Sequence, residues 1–321
     1  MTSSNASSPL PEFEVRLPVP DLSDWLPGNT GIPGVTSRDS GEPGPHVALL
    51  ALTHGNEYAG GIVLDRLLRH DLRPAAGRLS FVFVNYEAFA RFDPRRPTLS
   101  RFIDEDLNRL WDEAVLQGPR HSVELNRARE LCPLLDTVDV LLDLHSMLWP
   151  SDPLILSGAC PKGRRLAMEL SVPNLVVADA GHLNGRRIID YTRFSDPDSP
   201  YVANLVEAGQ HWEAATVDTA MQGVLGLLRH VGMTGAQTSD PPPRTPSRFA
   251  RVTHAVTALT SGFVFERTYY GGEVIPDRDT LIAHDGEAEI RTPYDNCLLI
   301  MPSLRPSRGH TAVRLARFEE G

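Results

Sequence analysis

The chain has 321 residues, of which 41% are hydrophobic and 22% are charged, a balance typical of a soluble globular protein with one or two domains. Its formal net charge of -10 argues against a broad basic surface for nucleic acid or for anionic lipid. The sequence contains no apolar run of about 18 residues, so we expect no membrane-spanning helix. The first residues lack the basic and apolar regions of a signal peptide.

The three cysteines, Cys132, Cys160 and Cys297, are widely spaced and odd in number. Neither a disulfide framework nor a CxxC zinc site fits this spacing. We therefore expect a reducing, cytoplasmic setting for the protein.

The first two thirds of the chain alternates predicted strands with predicted helices. The strands are expected at residues 46–52, 79–85, 139–147, 173–179 and 203–209, and the helices at residues 57–70, 122–136 and 218–232. Ser122 is the predicted N-cap of the second helix. This alternation predicts an α/β domain with a mainly parallel or mixed sheet.

A proline-rich stretch divides the chain near residue 240. Residues 237–245 contain three consecutive prolines, which neither a helix interior nor a central strand tolerates, and they predict a linker. Beyond it, short apolar runs lie between Gly, Pro and Asp turns, as in a small all-β domain. We therefore predict an α/β domain over residues 1–236 and a β-rich domain over residues 246–321, with residues 237–245 as the linker.

Two histidines occur where predicted strands end. His54 follows the first strand, Glu57 comes three residues later, and His145 ends the strand 139–147. Ligands of open α/β sheets gather at the carboxyl ends of strands, and two imidazoles with one carboxylate form a standard catalytic zinc set. Alternatively, His54 is a turn residue and Glu57 complements a helix dipole. Asp143, on the same strand face, either orients His145 or pairs with an arginine.

A polar cluster and a strand-end acid supply further candidates. Asn108 and Arg109 are adjacent, with Arg101 eight residues earlier, and together they can bind a carboxylate. The alternative is a solvated loop in which the arginines pair with neighbouring acids. Glu207 ends the strand 203–209 and is either a proton acceptor or the ion-pair partner of Arg193 or His211.

Four motifs, in order, carry a family resemblance. THGNEYAG, RFIDEDLNRLW, LLDLHSM and NLVEAGQHW, which span residues 53–212, resemble the succinylglutamate desuccinylase/aspartoacylase family, a branch of the zinc carboxypeptidase-like fold. The resemblance implies a carboxypeptidase-like mixed sheet with flanking helices, followed by a small C-terminal all-β domain.

The resemblance also implies roles for individual residues. The implied ligands of one zinc ion per chain are His54, Glu57 and His145. Glu207 matches the general base, Arg101 the arginine that polarises the scissile carbonyl, and Asn108 with Arg109 the pair that holds the substrate carboxylate.

Relatives also use a pocket tyrosine from the second domain, for which the candidates are Tyr269, Tyr270 and Tyr294. The loop 181–194, which includes His182, Arg186 and Arg187, either lines the pocket or is a surface connection. Surface or capping positions are predicted for three further histidines, His121, His211 and His230.

These features predict a zinc-dependent amide hydrolase that removes an acyl group from an N-acyl amino acid or a similar small carboxylated amide. The expected partner is that small molecule, with no nucleic acid and no membrane, and a homo-oligomer is left open. Two alternatives remain: a zinc carboxypeptidase acting on peptides, and a metal- or ligand-binding protein without turnover, which an intact Glu207 disfavours because binding needs no base.

Overall fold

The computed structural model describes residues 13–182, 184–234 and 246–319, so the predicted linker 237–245 lies outside the described residues. The helices are α1 (Ala59–Arg69), α2 (Tyr86–Phe89), α3 (Glu113–Gln117), α4 (Val123–Leu135), α5 (Pro161–Leu170), α6 (Thr192–Ser195) and α7 (Ala214–His230). The first seven strands are β1 (Val35–Asp39), β2 (His46–Ala51), β3 (Arg78–Phe83), β4 (Val140–Met147), β5 (Leu154–Leu156), β6 (Leu175–Ala178) and β7 (Val202–Gln210). The later strands are β8 (Arg248–Thr257), β9 (Phe263–Phe265), β10 (Val274–Ile275), β11 (Leu281–Asp285), β12 (Ala288–Arg291), β13 (Cys297–Ile300) and β14 (Thr311–Glu319).

Within the described residues, eleven strands form one mixed sheet in the order β1-β3-β2-β4-β7-β5-β6-β8-β14-β13-β10. Its centre is parallel, since β2 pairs in parallel with β3 and β4, and β4 pairs in parallel with β7. The predicted α/β fold with a mixed sheet is thus confirmed. Because parallel neighbours run in one direction, the carboxyl ends of β2, β4 and β7 meet at one edge, where the candidate site lies.

The strand β2 shows why this sheet forms from uninterrupted apolar runs. All six of its residues are buried. Leu49 and Ala51 pack into the core that contains α1, α5 and α7, whereas Ala48 and Leu50 pack into the core on the α4 side. A strand covered by helices on both faces needs apolar side chains at every position, which explains the absence of an alternating pattern.

The C-terminal strands belong to two different sheets. Three of them, β9, β11 and β12, form a separate small antiparallel sheet, as expected for a β-rich tail. The others continue the large sheet, because β8 pairs in parallel with β6 from Leu175↔Arg248 onward and β14 pairs antiparallel with β8. The tail is therefore continuous with the α/β sheet, and the division into two domains stays a prediction.

Several elements depart from the pattern expected from sequence. The first helix begins at Ala59 rather than at Glu57, which leaves Glu57 in the preceding turn. The N-cap prediction for α4 holds, since the Ser122 side chain accepts a hydrogen bond from the Leu125 amide. The elements β1, β5 and α5 were not predicted. None of the described helices has both the length and the apolar character needed to cross a bilayer, and all three cysteines are free.

Candidate active site

The turn after β2 is built to bring its polar side chains over the sheet edge. Leu52 has a positive φ of 62°, so the chain turns sharply at the end of the strand. At Gly55, a Cβ atom would lie 2.4 Å from the backbone nitrogen of Phe89, which leaves no room for a side chain. This tight turn places His54 and Glu57 beside His145, the residue near the end of β4.

The structure brings the three predicted metal ligands together. His54 Nδ1 lies 2.8 Å from Glu57 Oε1, and His145 Nδ1 lies 3.0 Å from Glu57 Oε2. One donor atom from each of the three buried residues lies within 4.8 Å of the others. The two Nδ1 atoms and the carboxylate therefore face a common point, where they could hold a metal ion.

The outer nitrogen of each imidazole meets an aspartate. His145 Nε2 is 2.6 Å from Asp143 Oδ2, and His54 Nε2 is 2.9 Å from Asp106 Oδ1. Asp143 is held in turn by the Thr53 hydroxyl, which donates to Oδ1 over 2.9 Å. A carboxylate on the far ring nitrogen keeps its proton there and leaves the inner lone pair free for a metal. Of the two predictions for Asp143, the contact with His145 is therefore observed, and the pairing with an arginine is not seen among the described residues.

We call His54, Glu57 and His145 the donor set, and two further observations indicate that it fits a cation. His54 Nδ1 is buried and makes no hydrogen bond within the described structure, although Glu57 Oε1 is close, because the contact lies off the hydrogen-bond direction. Burial by itself would lower the pKa of His145, but the carboxylates of Asp143 and Glu57 outweigh it and raise this pKa well above its ordinary value. The surrounding carboxylates therefore stabilise a positive charge at this point, which a metal ion would supply.

Glu207 lies beside the donor set on the neighbouring strand. It pairs with His145 in the register between β4 and β7. Its Oε2 atom is buried without a hydrogen-bond partner among the described residues, and burial raises the pKa of the carboxyl to about 8. The alternative ion pair with Arg193 or His211 is absent from the contacts of both residues, which bind Val138 and Ser146 instead.

Arg101 contacts the donor set itself. Its Nη1 donates to Glu57 Oε1 over 2.9 Å, and its Nη2 lies 2.9 Å from His54 Nε2 and 3.3 Å from Asp106 Oδ2. Arg101 and Asp106 therefore compete for the outer nitrogen of His54. A cation on the inner side of the ring would engage Nδ1 and fix the proton on Nε2, facing Asp106.

Asn108 and Arg109 lie in a short 3-10 helix, Leu107–Arg109. The Asn108 Oδ1 atom accepts a hydrogen bond of 2.8 Å from the Ile188 amide, which orients the side chain. Arg109 donates to the carbonyl of Asn108 over 2.7 Å, and its nearest carboxylate, Asp106, is 3.8 Å away. Burial lowers the pKa of Arg109 to about 10; the Asp106 carboxylate opposes this shift, and the neighbouring arginines add to it.

These residues share one cavity of about 880 Å³ with residues that the sequence did not identify. We call it the central cavity, and its walls include His54, Glu57, Arg101, Asn108, Arg109, His145, His182, Arg187, Glu207, His211 and Arg314. Arg314 comes from β14 in the tail. None of the three candidate tyrosines lines this cavity, and the charged and polar side chains that the tail contributes to its lining include Arg305, His310 and Arg314.

The prediction that His211 is a surface or capping residue is wrong. Its side chain is buried, its Nδ1 lies 2.7 Å from the Ser146 hydroxyl, and the amide of Ser146 donates to Glu57 Oε2 over 3.0 Å. Burial lowers the pKa of His211 to about 4. A signal for this position existed, because His211 follows Glu207 by four residues within one predicted strand-end motif.

The loop after β6 contributes to the lining of the central cavity, as one of the two predictions for residues 181–194 stated. Arg187 is enclosed by two carboxylates, with an ion pair of 2.8 Å to Asp179 and a hydrogen bond of 2.7 Å to Asp190. His182 lines the central cavity, whereas Arg186 pairs with Asp112 and is half exposed. The loop therefore contributes His182 to the cavity wall and uses Arg187 to hold its own shape.

Comparisons with known proteins support the motif-based resemblance. Residues 43–174 match the model of the succinylglutamate desuccinylase/aspartoacylase catalytic domain. A succinylglutamate desuccinylase from Ectopseudomonas mendocina is 38% identical over 92 residues, which cover 27% of this chain and 24% of that protein. An aspartoacylase from Xenopus tropicalis is 30% identical over 124 residues, which cover 35% of this chain and 37% of that protein.

The matched part of the chain therefore spans well under half the length of these two relatives. The fold likeness is broader. The structure of a succinylglutamate desuccinylase from Vibrio parahaemolyticus superposes with a TM-score of 0.68, covers 90% of this chain and 87% of its own, and is 19% identical. The chain is therefore similar to the succinylglutamate desuccinylase/aspartoacylase family over part of its length, which includes the match of residues 43–174 to the catalytic-domain model.

Proposed function

We propose that this chain is a zinc-dependent hydrolase that removes the acyl group from an N-acyl amino acid or a similar small carboxylated amide. The observation that carries the proposal is the placement of Glu207 beside the His54, Glu57 and His145 donor set. Its buried Oε2 atom has no hydrogen-bond partner among the described residues, and it lies in a cavity that also holds arginine. The names of the two relatives, a succinylglutamate desuccinylase and an aspartoacylase, support removal of an acyl group.

A zinc ion held by His54, Glu57 and His145 would supply Lewis acidity, which polarises a carbonyl and acidifies a water molecule. Two imidazoles and one carboxylate form the donor set of catalytic zinc sites, and they leave a position open for water or substrate. The carboxylates of Asp106 and Asp143 hold the two rings from behind. We propose one such ion per chain.

Glu207 is the proposed general base. Its free Oε2 atom accepts the proton of the attacking water and then returns it to the nitrogen of the leaving amine, so that one carboxyl group serves both steps. In the absence of a cation, burial favours the protonated form of this acid. A divalent cation nearby lowers the pKa and so makes the carboxylate available as a base.

Arginine side chains are proposed to orient the substrate and to stabilise developing negative charge. Arg101 lies against the donor set, where it can share the oxyanion charge that forms at the scissile carbonyl. Asn108 and Arg109 are proposed to hold the substrate carboxylate, which fixes the amide in one orientation. Because Asn108 Oδ1 is already bound to the Ile188 amide, its NH₂ group remains for the ligand.

The experiment is a screen of zinc-loaded protein against N-acetyl, N-succinyl and other N-acyl amino acids, with release of the free amine as the readout. Dipeptides of matched composition test the carboxypeptidase alternative in the same assay. We expect amine release from at least one N-acyl amino acid and slower release from the dipeptides. Release from the dipeptides alone would support the peptidase, and no release from any compound would contradict the proposed activity.

Metal content is measured separately by plasma mass spectrometry. We expect about one zinc per chain, since the three side chains form one ligand set. A His54→Ala/His145→Ala double variant should lose the ion, whereas His230→Ala, at the end of α7, should retain it. Equal zinc content in the double variant and the wild type would overturn the ligand assignment without reference to activity.

A further inference from the structure

His211 is a third histidine in the central cavity, and the proposed function leaves it without a role. It follows directly after β7, where its amide donates to the carbonyl of Met147 over 2.8 Å, so the chain after β7 is tied to the end of β4. Only 4% of the residue is exposed, and its ring lines the central cavity. His211 does not belong to the donor set. It is therefore a buried imidazole near the proposed metal site that is available for contact with a ligand.

The side chain of His211 makes one hydrogen bond among the described residues, which joins Nδ1 to the Ser146 hydroxyl over 2.7 Å. Burial lowers the pKa of His211 to about 4, so near neutral pH the ring is uncharged and carries a proton on one nitrogen only.

The Ser146 hydroxyl decides which nitrogen that is, because it has no other partner in the described parts of the chain. If Nδ1 were protonated, it would donate to this oxygen, and the serine proton would be left without a protein acceptor. If the serine donates to Nδ1, both groups are satisfied and the ring proton lies on Nε2. The hydrogen bonding thus favours the tautomer whose Nε2–H group remains free to donate to a ligand.

Ser146 also fixes this ring relative to the donor set. Its amide donates to Glu57 Oε2 over 3.0 Å, while its hydroxyl holds His211. The other oxygen of the same carboxylate, Glu57 Oε1, accepts from Arg101 over 2.9 Å. Arg101 and His211 are thus connected to different oxygens of one carboxylate, and they approach the donor set from different sides.

The proposed reaction creates a second oxygen for which a hydrogen-bond donor is needed. When water adds to the scissile carbonyl, a C–O bond forms, the π electron pair moves to the carbonyl oxygen, and one proton of the water passes to Glu207. The tetrahedral adduct has two oxygens on the reacting carbon, whereas the planar amide has one. When the adduct collapses, the C–N bond breaks and the proton passes to the amine nitrogen. A fixed donor that meets the second oxygen only in the adduct lowers the barrier without tightening substrate binding.

We propose that His211 is a catalytic residue whose Nε2–H group donates a hydrogen bond to the tetrahedral adduct, on the oxygen that Arg101 does not contact. Ser146 is the positioning residue that keeps the ring proton on Nε2. This inference rests on the proposed function, but the position of the ring proton can be measured without turnover. A merely structural His211 would stabilise the strand ends, and its replacement would not change the affinity for a tetrahedral ligand relative to that for a planar one.

The first test locates the ring proton by NMR of the full chain, zinc-loaded and labelled with ¹⁵N at histidine. The signals of His211 are identified by their loss in His211→Gln. We expect the nitrogen shifts of a neutral ring protonated on Nε2 in the wild type, and a shift toward a mixture of tautomers in Ser146→Ala. A proton on Nδ1 in the wild type would overturn the inference, whatever the activity of the variants. Unchanged shifts in Ser146→Ala would exclude the positioning role of Ser146.

The second test compares turnover with the binding of a tetrahedral analogue. The analogue is a phosphonamidate of the best N-acyl amino acid, in which a phosphorus with two oxygens replaces the scissile carbonyl. In His211→Leu we expect kcat for amine release to fall about tenfold, KM to stay within about twofold, and phosphonamidate binding to weaken about tenfold, as for the loss of one neutral hydrogen bond. His284→Leu is the control, because His284 is partly exposed on β11 and pairs with Glu266, and it should behave as the wild type.

Zinc content is measured in every sample, so that loss of the metal is not mistaken for loss of the donor. A kcat and a phosphonamidate affinity both within about twofold of the wild type in His211→Leu would overturn the inference. A raised KM with unchanged kcat would do the same, because the hydrogen bond would then form with the planar substrate. If the leucine variant does not fold or loses zinc, Ser146→Ala replaces it in the same comparison, since it keeps the ring and removes the group that orients its proton. Absence of turnover with every N-acyl amino acid contradicts the proposed function, whereas turnover that does not depend on His211 contradicts this inference alone.

Discussion

At one end of the central cavity, carboxylates surround the histidines, whereas at the other end arginines outnumber close anions. Around His54 and His145, each Nε2 atom has an aspartate within hydrogen-bond distance, and Glu57 bridges the two inner nitrogens. Around Arg109 and Arg314, the nearest carboxylates lie at 3.8 and 3.5 Å. The first end requires a cation, and the second end requires an anion.

This difference also separates what each end can contribute to a reaction. A site surrounded by carboxylates holds a metal ion in one place and sets its ligand geometry. A wall with under-compensated guanidinium groups attracts and orients anionic substrates, even though the chain as a whole has a net charge of -10. The scissile bond of a carboxylated amide, bound by its charged end, would then extend toward Glu207 and the donor set.

The largest effect is expected at Glu207, between the two ends. Glu207→Gln keeps the shape of the side chain but cannot accept a proton, so we expect kcat to fall by about 10² to 10⁴. Zinc content should remain that of the wild type, because Glu207 is outside the proposed ligand set. The measurement is steady-state amine release, together with metal analysis of the same sample.

Glu213→Gln is the control for this variant, since Glu213 follows the same strand, is partly exposed and pairs with Arg16. It should leave kcat unchanged. If Glu207→Gln keeps more than about a tenth of the turnover of the wild type, another group is the base.

The second largest effect is expected at Arg109, at the end of the cavity where arginines outnumber close anions. Arg109→Leu should weaken hydrolysis of an N-acyl amino acid but should have little effect on its carboxamide, because only the acid can pair with the guanidinium. Removal of one partner of a buried charge pair costs about 2–5 kcal/mol, so kcat/KM for the acid should fall at least about 30-fold. Both compounds are measured with both proteins at matched pH and salt.

Arg186→Leu is the matched control, because Arg186 is half exposed, pairs with Asp112 and lies outside the central cavity. It should preserve the preference for the acid. Equal kcat/KM for acid and amide in the wild type would show that Arg109 holds no substrate carboxylate.

A smaller effect is expected from the carboxylates behind the donor set. Asp143→Asn keeps a hydrogen-bonding group next to His145 Nε2 but removes its charge, so zinc affinity should fall about 10- to 100-fold. The measurement is competition with a chromogenic chelator. Asp136→Asn changes an exposed aspartate that hydrogen-bonds Tyr191 and should have no effect on affinity. An unchanged zinc affinity in Asp143→Asn would show that the charge of Asp143 does not support zinc binding, and its remaining role would be the hydrogen bond with Thr53.

The two ends of the cavity also differ in how far the sequence could predict them. The donor set depends on where β2 and β4 end, and buried apolar runs mark those ends, so His54, Glu57 and His145 could be placed together from sequence. Asp106 lies in the motif RFIDEDLNRLW, whose charge pattern indicates only a partner for the neighbouring arginines. Its contact with His54 depends on how residues 101–109 fold back over the sheet edge.

The placement of Arg109 and Arg314 in one cavity wall could not be predicted from the sequence in the same way. Arg314 is more than 100 residues from any other proposed site residue, and its place in the cavity depends on β14 joining the large sheet through β8. The family resemblance implies that the tail contributes a tyrosine to the pocket, but no pattern in the sequence indicates that Arg314 would be a tail residue in the cavity wall. His211 was missed for a related reason, because a histidine after a strand is most often exposed, and only the packing against Ser146 shows its burial.

The smallest effect concerns stability rather than turnover, and it tests the burial of Glu207 at the boundary between the two ends. Its pKa is raised to about 8 by burial, from an ordinary value of 4.5, in the protein without a cation. Between these two values the folded state holds a proton that the unfolded state has lost, so unfolding becomes easier as pH rises, by about 1 kcal/mol per pH unit. Below the ordinary value, both states are protonated and the slope vanishes.

Urea unfolding of chelator-treated wild type and Glu207→Gln across this pH range therefore has a definite expected outcome. The glutamine variant lacks the titrating group, so its stability relative to the wild type should increase as pH rises from about 5 to about 8 and then level off. Groups that do not interact with Glu207 titrate in both proteins and cancel in the difference, and Glu213→Gln should run parallel to the wild type. A difference independent of pH would mean that Glu207 is ionised in the folded protein and has a counter-charge, in which case the carboxylate would not depend on a metal ion to act as a base.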